Sequence, residues 1–490
     1  MKKIFATFIL TAAVSAAAFA AEPLRTAYFL DGYDFRHKLN PAMPAARSYF
    51  ALPVLGATKI GVQSNLGISS FLYPTNDGRL TTFMNGSVSS DTFLKKLNKN
   101  NIISADFSTS VISIGAWGKK NGFTSVELNL RGGVSANLPR DIFAFMKTVG
   151  GKETYDITHL GARGQAYMEL SVGHAQRVNK RLSVGGKIKL LLGAANANLD
   201  MNKMKIKMAA DEWSVNAQGQ LKVSGGMLEI PTYAQSGEVP EGKDPNQINL
   251  EGLSFDPAET FRTKGIGGFL GGYGAAVDLG FTYEILNGLT IGAAVTDLGV
   301  ISWKNTLDAR TSEAAWSFKG FENVSLDSES ENSIQNQFGK LSEGFEDMLA
   351  LYTETGGKNY LEMLATTVNA SLQYKMPFWQ GMSLGALVTA RLQGPYSWTE
   401  GRVSLNFAFG NVLALSGSYA YSTFGSSVGA ALNLHSRAFS FYLGTDTLPT
   451  RLSRPVPGIG FGVPVDGIKL GVNFGLVFNL SKRKDKTFRE

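Results

Sequence analysis

The chain has 490 residues, a formal net charge of +7 and no cysteine. Charged residues make up 18% of it, whereas a soluble globular chain carries about 25%. The lack of cysteine excludes a disulfide scaffold, thiolate zinc sites and iron–sulfur clusters, and the small basic excess does not support nucleic-acid binding. The 55 glycines argue against a helix-dominated fold, because a glycine inside a helix costs about 1 kcal/mol relative to alanine. Composition therefore indicates a large β protein.

The first residues have the pattern of a secretory signal. Lys2 and Lys3 precede an alanine-rich apolar stretch that ends in Ala18-Phe19-Ala20. A basic start, a short apolar run and an A-x-A ending predict a signal peptide over residues 1–20, cleaved before Ala21. No later stretch is long and apolar enough for a membrane helix. We therefore expect an exported protein of the bacterial outer membrane.

Alternation of apolar and polar residues is the dominant pattern after this signal. Every second residue from Ile468 to Leu480 is apolar, and the residues between them are mostly small or polar. Since side chains of a strand point alternately to its two faces, one face is wholly apolar. The pattern recurs along the chain in segments long enough to cross a bilayer at a tilt. It predicts an all-β fold, a transmembrane antiparallel β-barrel over residues 48–490, whose outer face contacts outer-membrane lipid. A soluble solenoid would need a fixed repeat, which the sequence lacks.

The lengths of the connections predict the topology. Six short turns fall near residues 119–122, 179–181, 286–288, 377–380, 410–411 and 435–436, and long loops fall near 68–103, 137–158, 197–265, 305–363 and 446–466. Short periplasmic turns and long outer loops are typical of outer-membrane barrels, and this parity gives 14 strands with both termini periplasmic. Residues 197–227 could instead add two membrane strands, which would give 16. We interpret 203–223 as a hairpin within the third outer loop. Helical periodicity further predicts amphipathic helices over 333–352 and after Pro139.

Charged residues on the polar faces of the predicted strands are candidates to line the lumen. We expect them to pair with one another or with a plug, because an unpaired charge in a dry lumen costs several kcal/mol; a solvated channel wall is the alternative. The candidates are Glu127, Arg131, Glu169, Lys187, Lys189, Asp278, Glu284, Lys375, Arg391 and Arg402.

Residues 21–47 precede the first predicted strand and are rich in aromatic side chains. Burial of those side chains would stabilise an ordered position, and the simplest one is inside the barrel, as an N-terminal plug. Asn40 is expected to fix a turn that Pro41 stiffens, since asparagine bonds neighbouring backbone and proline restricts φ. The alternative is a periplasmic tail that lies against the base of the barrel.

Asn40-Pro41-Ala42, placed before a 14-strand barrel, resembles the amino-terminal hatch of the long-chain fatty-acid transporter superfamily. The stretch from Arg36 to Pro53, with Thr296-Asp297-Leu298-Gly299 and Trp303, is closer to uncharacterised outer-membrane proteins of the Bacteroidetes type. These are akin to the barrel subunit that binds cargo in type 9 secretion. The resemblance implies hatch roles for Asn40, Pro41 and Ala42. It also implies a lateral opening in the third strand, where Gly132 and Gly133 permit a kink; room for the plug is the alternative reason for these glycines.

No catalytic motif, metal site or cofactor site is predicted. The four histidines lie on separate elements, without a metalloprotease motif or a nucleophile elbow. Gly265 to Gly272 could suggest a phosphate loop, but these glycines lead into a β pattern and are interpreted as strand residues. Two non-enzymatic functions remain: a channel for small hydrophobic or amphipathic solutes, or a scaffold whose outer loops hold another outer-membrane or secreted protein. The channel predicts an apolar pocket between plug and outer loops, and the scaffold predicts a filled lumen.

Overall fold

A computed structural model describes residues 23–482, except residues 54, 76–78, 119, 227, 238, 313–314, 322, 324–329, 354–356, 453–464 and 466. The predicted signal peptide lies outside the described residues. Fourteen antiparallel strands form the barrel wall. They are β1 (Tyr49–Ala51 and Thr58–Ser64), β2 (Asn100–Trp117), β3 (Gly122–Pro139), β4 (Gly161–Arg177), β5 (Leu182–Met208), β6 (Gly272–Leu286), β7 (Leu289–Thr311), β8 (Thr366–Lys375), β9 (Met382–Leu392), β10 (Trp398–Phe409), β11 (Leu413–Ser422), β12 (Gly425–His435), β13 (Phe439–Pro449) and β14 (Ile468–Asn479).

The first strand closes the barrel. Thr58 of β1 pairs with Thr109 of β2 on one side and with Phe474 of β14 on the other. The described residues between its two pieces, 52–53 and 55–57, lie outside the strand, and in the first piece Tyr49 pairs with Asn479 of β14. Because the last strand meets the first, no open sheet edge faces the lipid, as a membrane-spanning sheet requires. The predicted transmembrane barrel is confirmed.

Large apolar side chains point outward from every barrel strand. Examples are Val126 on β3, Leu170 on β4, Leu279 on β6 and Leu470 on β14, which are 42–60% exposed. Their neighbours in sequence point inward and are polar or small, so the alternation follows from one face in lipid and one in the lumen. Among the described helices, none is long and apolar enough to cross a membrane.

The outer hairpin settles the number of strands. The strand Trp213–Ser224 pairs with the far half of β5, from Asn196 to Met208, and with the far end of β7. The near half of β5 pairs with β6 instead, so Trp213–Ser224 fills the gap beyond the end of β6. It therefore stands above the membrane-spanning part, and the interpretation with 14 strands rather than 16 is confirmed.

The long loops fold into a cap at the end of the barrel opposite the short turns. Its helices are α1 (Ile68–Phe71), α2 (Ser90–Leu94), α3 (Arg140–Lys147), α4 (Pro257–Phe269) and α5 (Ile334–Met348). Its smaller strands are Leu72–Pro74, Leu80–Thr82, Thr154–Asp156, Leu228–Glu229, Ser254–Phe255, Trp316–Phe318, Leu351–Thr353 and Lys358–Met363. Short 3-10 turns in or near the cap are Ala234–Ser236, Leu250–Gly252 and Gly394–Tyr396.

Separate hydrophobic cores hold the cap together. In one, Phe83 and Phe93 stack at 4.3 Å and Phe143 packs against the edge of Phe93. In a second, Met204 and Ile206 of the β5 extension pack with Val215 of the hairpin. The cap is therefore a folded unit, since each core buries apolar side chains that come from several loops.

Two predictions about helices need comment. The predicted helix over 333–352 is present as α5, but the stripe that predicted it falls mostly on side chains outside the described ones. The interpretation of Gly265–Gly268 as strand residues is wrong, because they lie in α4. The Asp256 side chain caps that helix by accepting a hydrogen bond from Glu259 N, and Gly265, at φ 59°, bends it. The cap at Asp256 and the kink at Gly265 thus allow a helix despite the low helix propensity of its glycines.

Candidate functional site

Residues 23–47, called the plug below, lie inside the barrel. Tyr28, Tyr33 and Phe35 are each 1% exposed. Tyr33 packs edge-on against Tyr442 of β13 at 4.9 Å, and Phe35 packs against Tyr49 of β1 at 5.7 Å. Such aromatic pairs add to the gain from burial of their area. The predicted position of this segment inside the barrel is confirmed.

The start of the plug is held by a carboxylate of the wall. Asp446 of β13 accepts hydrogen bonds from Thr26 N and Thr26 Oγ1, both at 2.7 Å, and from Arg25 N at 3.0 Å. Arg402 of β10 donates to Thr26 Oγ1 at 3.0 Å and pairs with Glu400 at 2.9 Å. Arg25 reaches the same Glu400 at 3.1 Å. All five residues are buried, so this group, the Asp446 clamp, joins plug and wall through charge-assisted bonds in a dry interior.

A second clamp holds the end of the plug. Lys38 Nζ lies 3.3 Å from Glu127 Oε1 of β3, and Lys187 Nζ of β5 lies 2.6 Å from Glu127 Oε2. The His37 imidazole lies beside this pair of lysines, with Nε2 at 3.4 Å from Glu127 and Nδ1 at 2.9 Å from the carbonyl oxygen of Asp34. Burial lowers the pKa of His37 to about 4, and the Lys187 ammonium acts in the same direction. We call Glu127, Lys38 and Lys187 the Glu127 clamp; His37, neutral at pH 7, packs beside it without an ion pair to Glu127.

Asn40 forms a turn where the plug meets the wall. Its Oδ1 accepts a hydrogen bond from Ala42 N at 3.0 Å, across Pro41. Its Nδ2 donates to the carbonyl oxygen of Phe281 on β6 at 3.1 Å and to Tyr28 Oη at 3.2 Å. The side chain therefore bonds the plug to itself and to the barrel at once.

Two paired glycines make room for this turn. Gly185 of β5 and Gly280 of β6 lie directly opposite each other in the ladder. A Cβ at Gly185 would overlap the carbonyl of Pro41, and one at Gly280 would overlap Asn40 Oδ1. Only glycine permits this close approach of the plug to the sheet.

A third charged group lies wholly in the wall. Arg131 of β3 binds Asp297 of β7 through both nitrogens, at 2.7 and 2.9 Å, and also binds Glu169 at 2.7 Å. Lys189 of β5 joins Asp297 at 2.6 Å and Asp278 at 2.8 Å. These five residues link the neighbouring strands β3 to β7 on the lumen side of the wall. Their buried charges are acceptable because each has an oppositely charged partner.

The remaining predicted lumen residues lie elsewhere. Glu284 and Lys375 line the mouth of the barrel at the end of the short turns, and Arg391 is half-buried on β9. Gly132 and Gly133 pair without interruption with β2 and β4, and the register shifts lie on β2, near Ser110, and between β4 and β5. A lateral opening at these two glycines stays a prediction.

Two cavities border the plug. A large one, of about 590 Å³, opens between the plug and the short turns; a small one, of about 40 Å³, lies among the charges of the wall beside Lys38. The lining of the small one is charged or amide-bearing in large part, with Pro23 and Leu39 of the plug. A cavity of the smaller volume holds a few water molecules. The apolar pocket expected between plug and outer loops stays a prediction.

Sequence reasoning missed several acidic residues of the site. Asp446, Glu400 and Asp297 provide three of the carboxylates that hold the plug or the wall charges. Glu400 lies two residues before Arg402 and so on the same face of β10, which is the signal that could have found it. Asp297 has φ 60°. A residue in this left-handed conformation interrupts the alternation of the strand, so the sequence pattern did not indicate that the Asp297 side chain faces the lumen.

Comparison with known proteins gives a family. The model of a family of unknown function, DUF5723, matches residues 41–446. The chain belongs to that family. No curated protein matches the chain.

Several solved structures are similar to the chain. They include the toluene transporter TodX of P. putida, at 7% identity and a TM-score of 0.37 over 91% of this chain and 92% of that one. The toluene transporter TbuX of Ralstonia pickettii has 10% identity and a TM-score of 0.38, covering 91% and 92%. A Pseudomonas aeruginosa FadL homologue has 11% identity and a TM-score of 0.33, covering 95% and 100%. The architecture of this chain rests on its own strand pairing.

Proposed function

We propose that this protein is a sealed outer-membrane barrel that acts as a scaffold, holding another outer-membrane or secreted protein at its outer cap. The observation that carries the proposal is the plug fixed inside the lumen. The plug is bound to strands on both sides of the barrel, by the Asp446 clamp on β10 and β13 and by the Glu127 clamp on β3 and β5. A route for solute would require several buried ion pairs to separate.

The folded cap supports the same function. The described parts of the long loops pack into hydrophobic cores, with the hairpin Trp213–Ser224 rising above the barrel. A rigid protruding surface suits recognition of a protein, because less order has to be gained on binding. The resemblance of Arg36–Pro53 and of Thr296–Gly299 to uncharacterised outer-membrane proteins, which are akin to the type 9 secretion barrel subunit, supports this class of partner.

A disulfide across the plug tests the sealed state. Thr26 Oγ1 and Ser418 Oγ of β11 lie 2.9 Å apart, and the chain has no cysteine of its own. Oxidation of the pair Thr26→Cys/Ser418→Cys should therefore lock the plug to the wall through one defined bond. We expect liposome permeability and cell growth to be the same for the wild-type protein and the oxidised variant. Solute uptake by the wild-type protein that is lost in the oxidised variant would refute a sealed scaffold.

The partner is tested by site-specific photo-cross-linking in the native cell. A photoreactive residue at Trp213, which is 44% exposed at the end of the outer hairpin, should give one discrete protein adduct. The same residue at Leu470, which is 54% exposed on the lipid face of β14, should give no protein adduct. Lipid adducts alone at both positions would contradict the scaffold.

A gated channel for small hydrophobic or amphipathic solutes is the second candidate. It is favoured by the cavity of about 590 Å³ directly beneath the plug, a size typical of ligand pockets. In this function the locked disulfide would block uptake. A lateral exit at the third strand would be tested by Gly132→Val/Gly133→Val, which should lower uptake of hydrophobic solutes while the barrel still folds.

A further inference from the structure

The large cavity beneath the plug, called the vestibule below, is bounded by both plug and wall. Phe29 and Met43 of the plug form part of its surface, and the turns around Lys180 and Trp379 form part of its rim. Phe29 packs so closely on β9 that a Cβ at Gly385 would overlap its ring. The vestibule therefore has a fixed roof and opens at the end where the short turns lie.

Cations predominate on its surface. Arg36, Arg177, Lys180, Arg181 and Lys375 line the vestibule, against the two carboxylates of Asp31 and Glu284. One of these carboxylates is already engaged, since Glu284 Oε1 accepts a hydrogen bond from Gly288 N at 2.9 Å.

The cations at the rim are placed to receive an anion. Among the residues that the structure describes, Lys180 and Arg181 have no carboxylate partner within ion-pair distance. They sit on a turn whose backbone is fixed, because Asn179 Oδ1 accepts hydrogen bonds from Arg181 N and Leu182 N at 2.8 Å. An excess of cations in a concave site favours entry of an anion.

Apolar groups form the other part of the lining. Trp379 is 38% exposed at the rim and packs 5.8 Å from Phe407 of β10. Phe29, Met43 and Trp117 continue the apolar surface toward the roof. A ligand that fits such a surface has an apolar body and a negative head, because either part alone would leave half of the site unmatched.

We propose that the vestibule is a binding site for one small amphipathic anion, with its head at Lys180 and Arg181 and its apolar body toward Trp379 and Phe29. The site is at the opposite end of the barrel from the cap and does not depend on the scaffold function. The anion can arrive from solution, as a carboxylate or sulfonate, or from the membrane, as an anionic lipid; the chemistry is the same.

Octanoate is the probe for the test. The full protein in phosphatidylcholine nanodiscs is titrated by calorimetry, with empty nanodiscs subtracted to remove partition into lipid. We expect one octanoate per chain and no binding of octylammonium, which has the same tail and the opposite charge. Equal binding of the two probes, or no octanoate binding, would overturn the proposal.

The matched variants locate the site. Lys180→Ser/Arg181→Ser should raise the octanoate Kd at least tenfold, whereas Arg437→Ser, at another exposed turn outside the vestibule lining, should leave it within twofold. An unchanged Kd in the double variant would overturn the proposal. Nanodiscs that contain phosphatidylglycerol separate the two sources: competition with octanoate identifies the membrane lipid, and its absence identifies a soluble anion.

Discussion

Thr26 in the plug and Asp446 in β13, which are 420 residues apart in sequence, are joined twice: Thr26 N and Thr26 Oγ1 both lie 2.7 Å from Asp446 Oδ1. The pair is buried, with Thr26 0% and Asp446 2% exposed. One carboxylate thus fixes both the backbone and the side chain of the plug, and several consequences can be measured.

Replacement of that carboxylate should loosen the plug. Asp446→Asn removes the charge that Arg402 and Arg25 face, and removal of one partner of a buried pair costs about 3–5 kcal/mol. We expect the free energy of unfolding to fall by about 3 kcal/mol in urea titrations in liposomes, and the plug to become sensitive to protease. The control is Asp91→Asn, whose pair with Lys95 is exposed and should contribute less than about 1 kcal/mol. Equal effects of the two variants would contradict a clamp.

The Glu127 clamp should show energetic coupling between plug and wall. A double-mutant cycle with Glu127→Gln and Lys38→Met measures it, and neighbours in one buried ion-pair network couple by about 0.5–3 kcal/mol. The same cycle with Lys38→Met and the distant Asp91→Asn should give additive effects. Additivity at Glu127 as well would mean that the 3.3 Å contact contributes no stability.

Acid should weaken the docked plug through His37. The pKa of this imidazole is lowered to about 4 in the fold, against about 6.5 in the unfolded chain, so the unfolded state takes up the proton first. The stability contributed by neutral His37 is therefore complete above about pH 6.5 and is lost as the pH falls toward 4. The loss is on the order of 2–3 kcal/mol. His37→Gln should reduce the difference in unfolding free energy between pH 7 and pH 4.5. A variant whose difference is as large as that of the wild type would contradict this assignment.

A methyl group at the glycine pair should unseat the turn at Asn40. Gly280→Ala forces Asn40 to move, because the added Cβ overlaps its Oδ1, and overpacking costs about 1–3 kcal/mol. We expect a lower unfolding temperature and new conductance in planar bilayers. Gly417→Ala on the outward face of β11, where a Cβ meets nothing within 4 Å, is the control and should behave like the wild type. Identical conductance in both variants would show that this contact does not seal the lumen.

Most of the fold could be predicted from the alternation of apolar and polar residues in the sequence. The run from Ile468 to Leu480 identifies β14 because lipid on one side and lumen on the other leave no other arrangement of its side chains. The site was harder to predict. Glu127 and Lys187 lie 60 residues apart in sequence, on β3 and β5, the two strands that flank β4. Alternation shows that both side chains face the lumen, but it does not give the strand register that brings them to the same level of the barrel. The prediction that Gly265 lies in a strand was wrong because it relied on glycine content, whereas the helix cap at Asp256 is the local signal that marks the start of α4.

The tether between plug and wall has a consequence for assembly. Only Ser48 separates the plug from Tyr49, which pairs with Asn479 of the last strand. The segment that fills the barrel is thus attached to the strand that completes it, at the seam where the two chain ends meet. We expect the plug to enter the lumen in the same step of biogenesis in which the first and last strands pair, so that the barrel is sealed as soon as it closes.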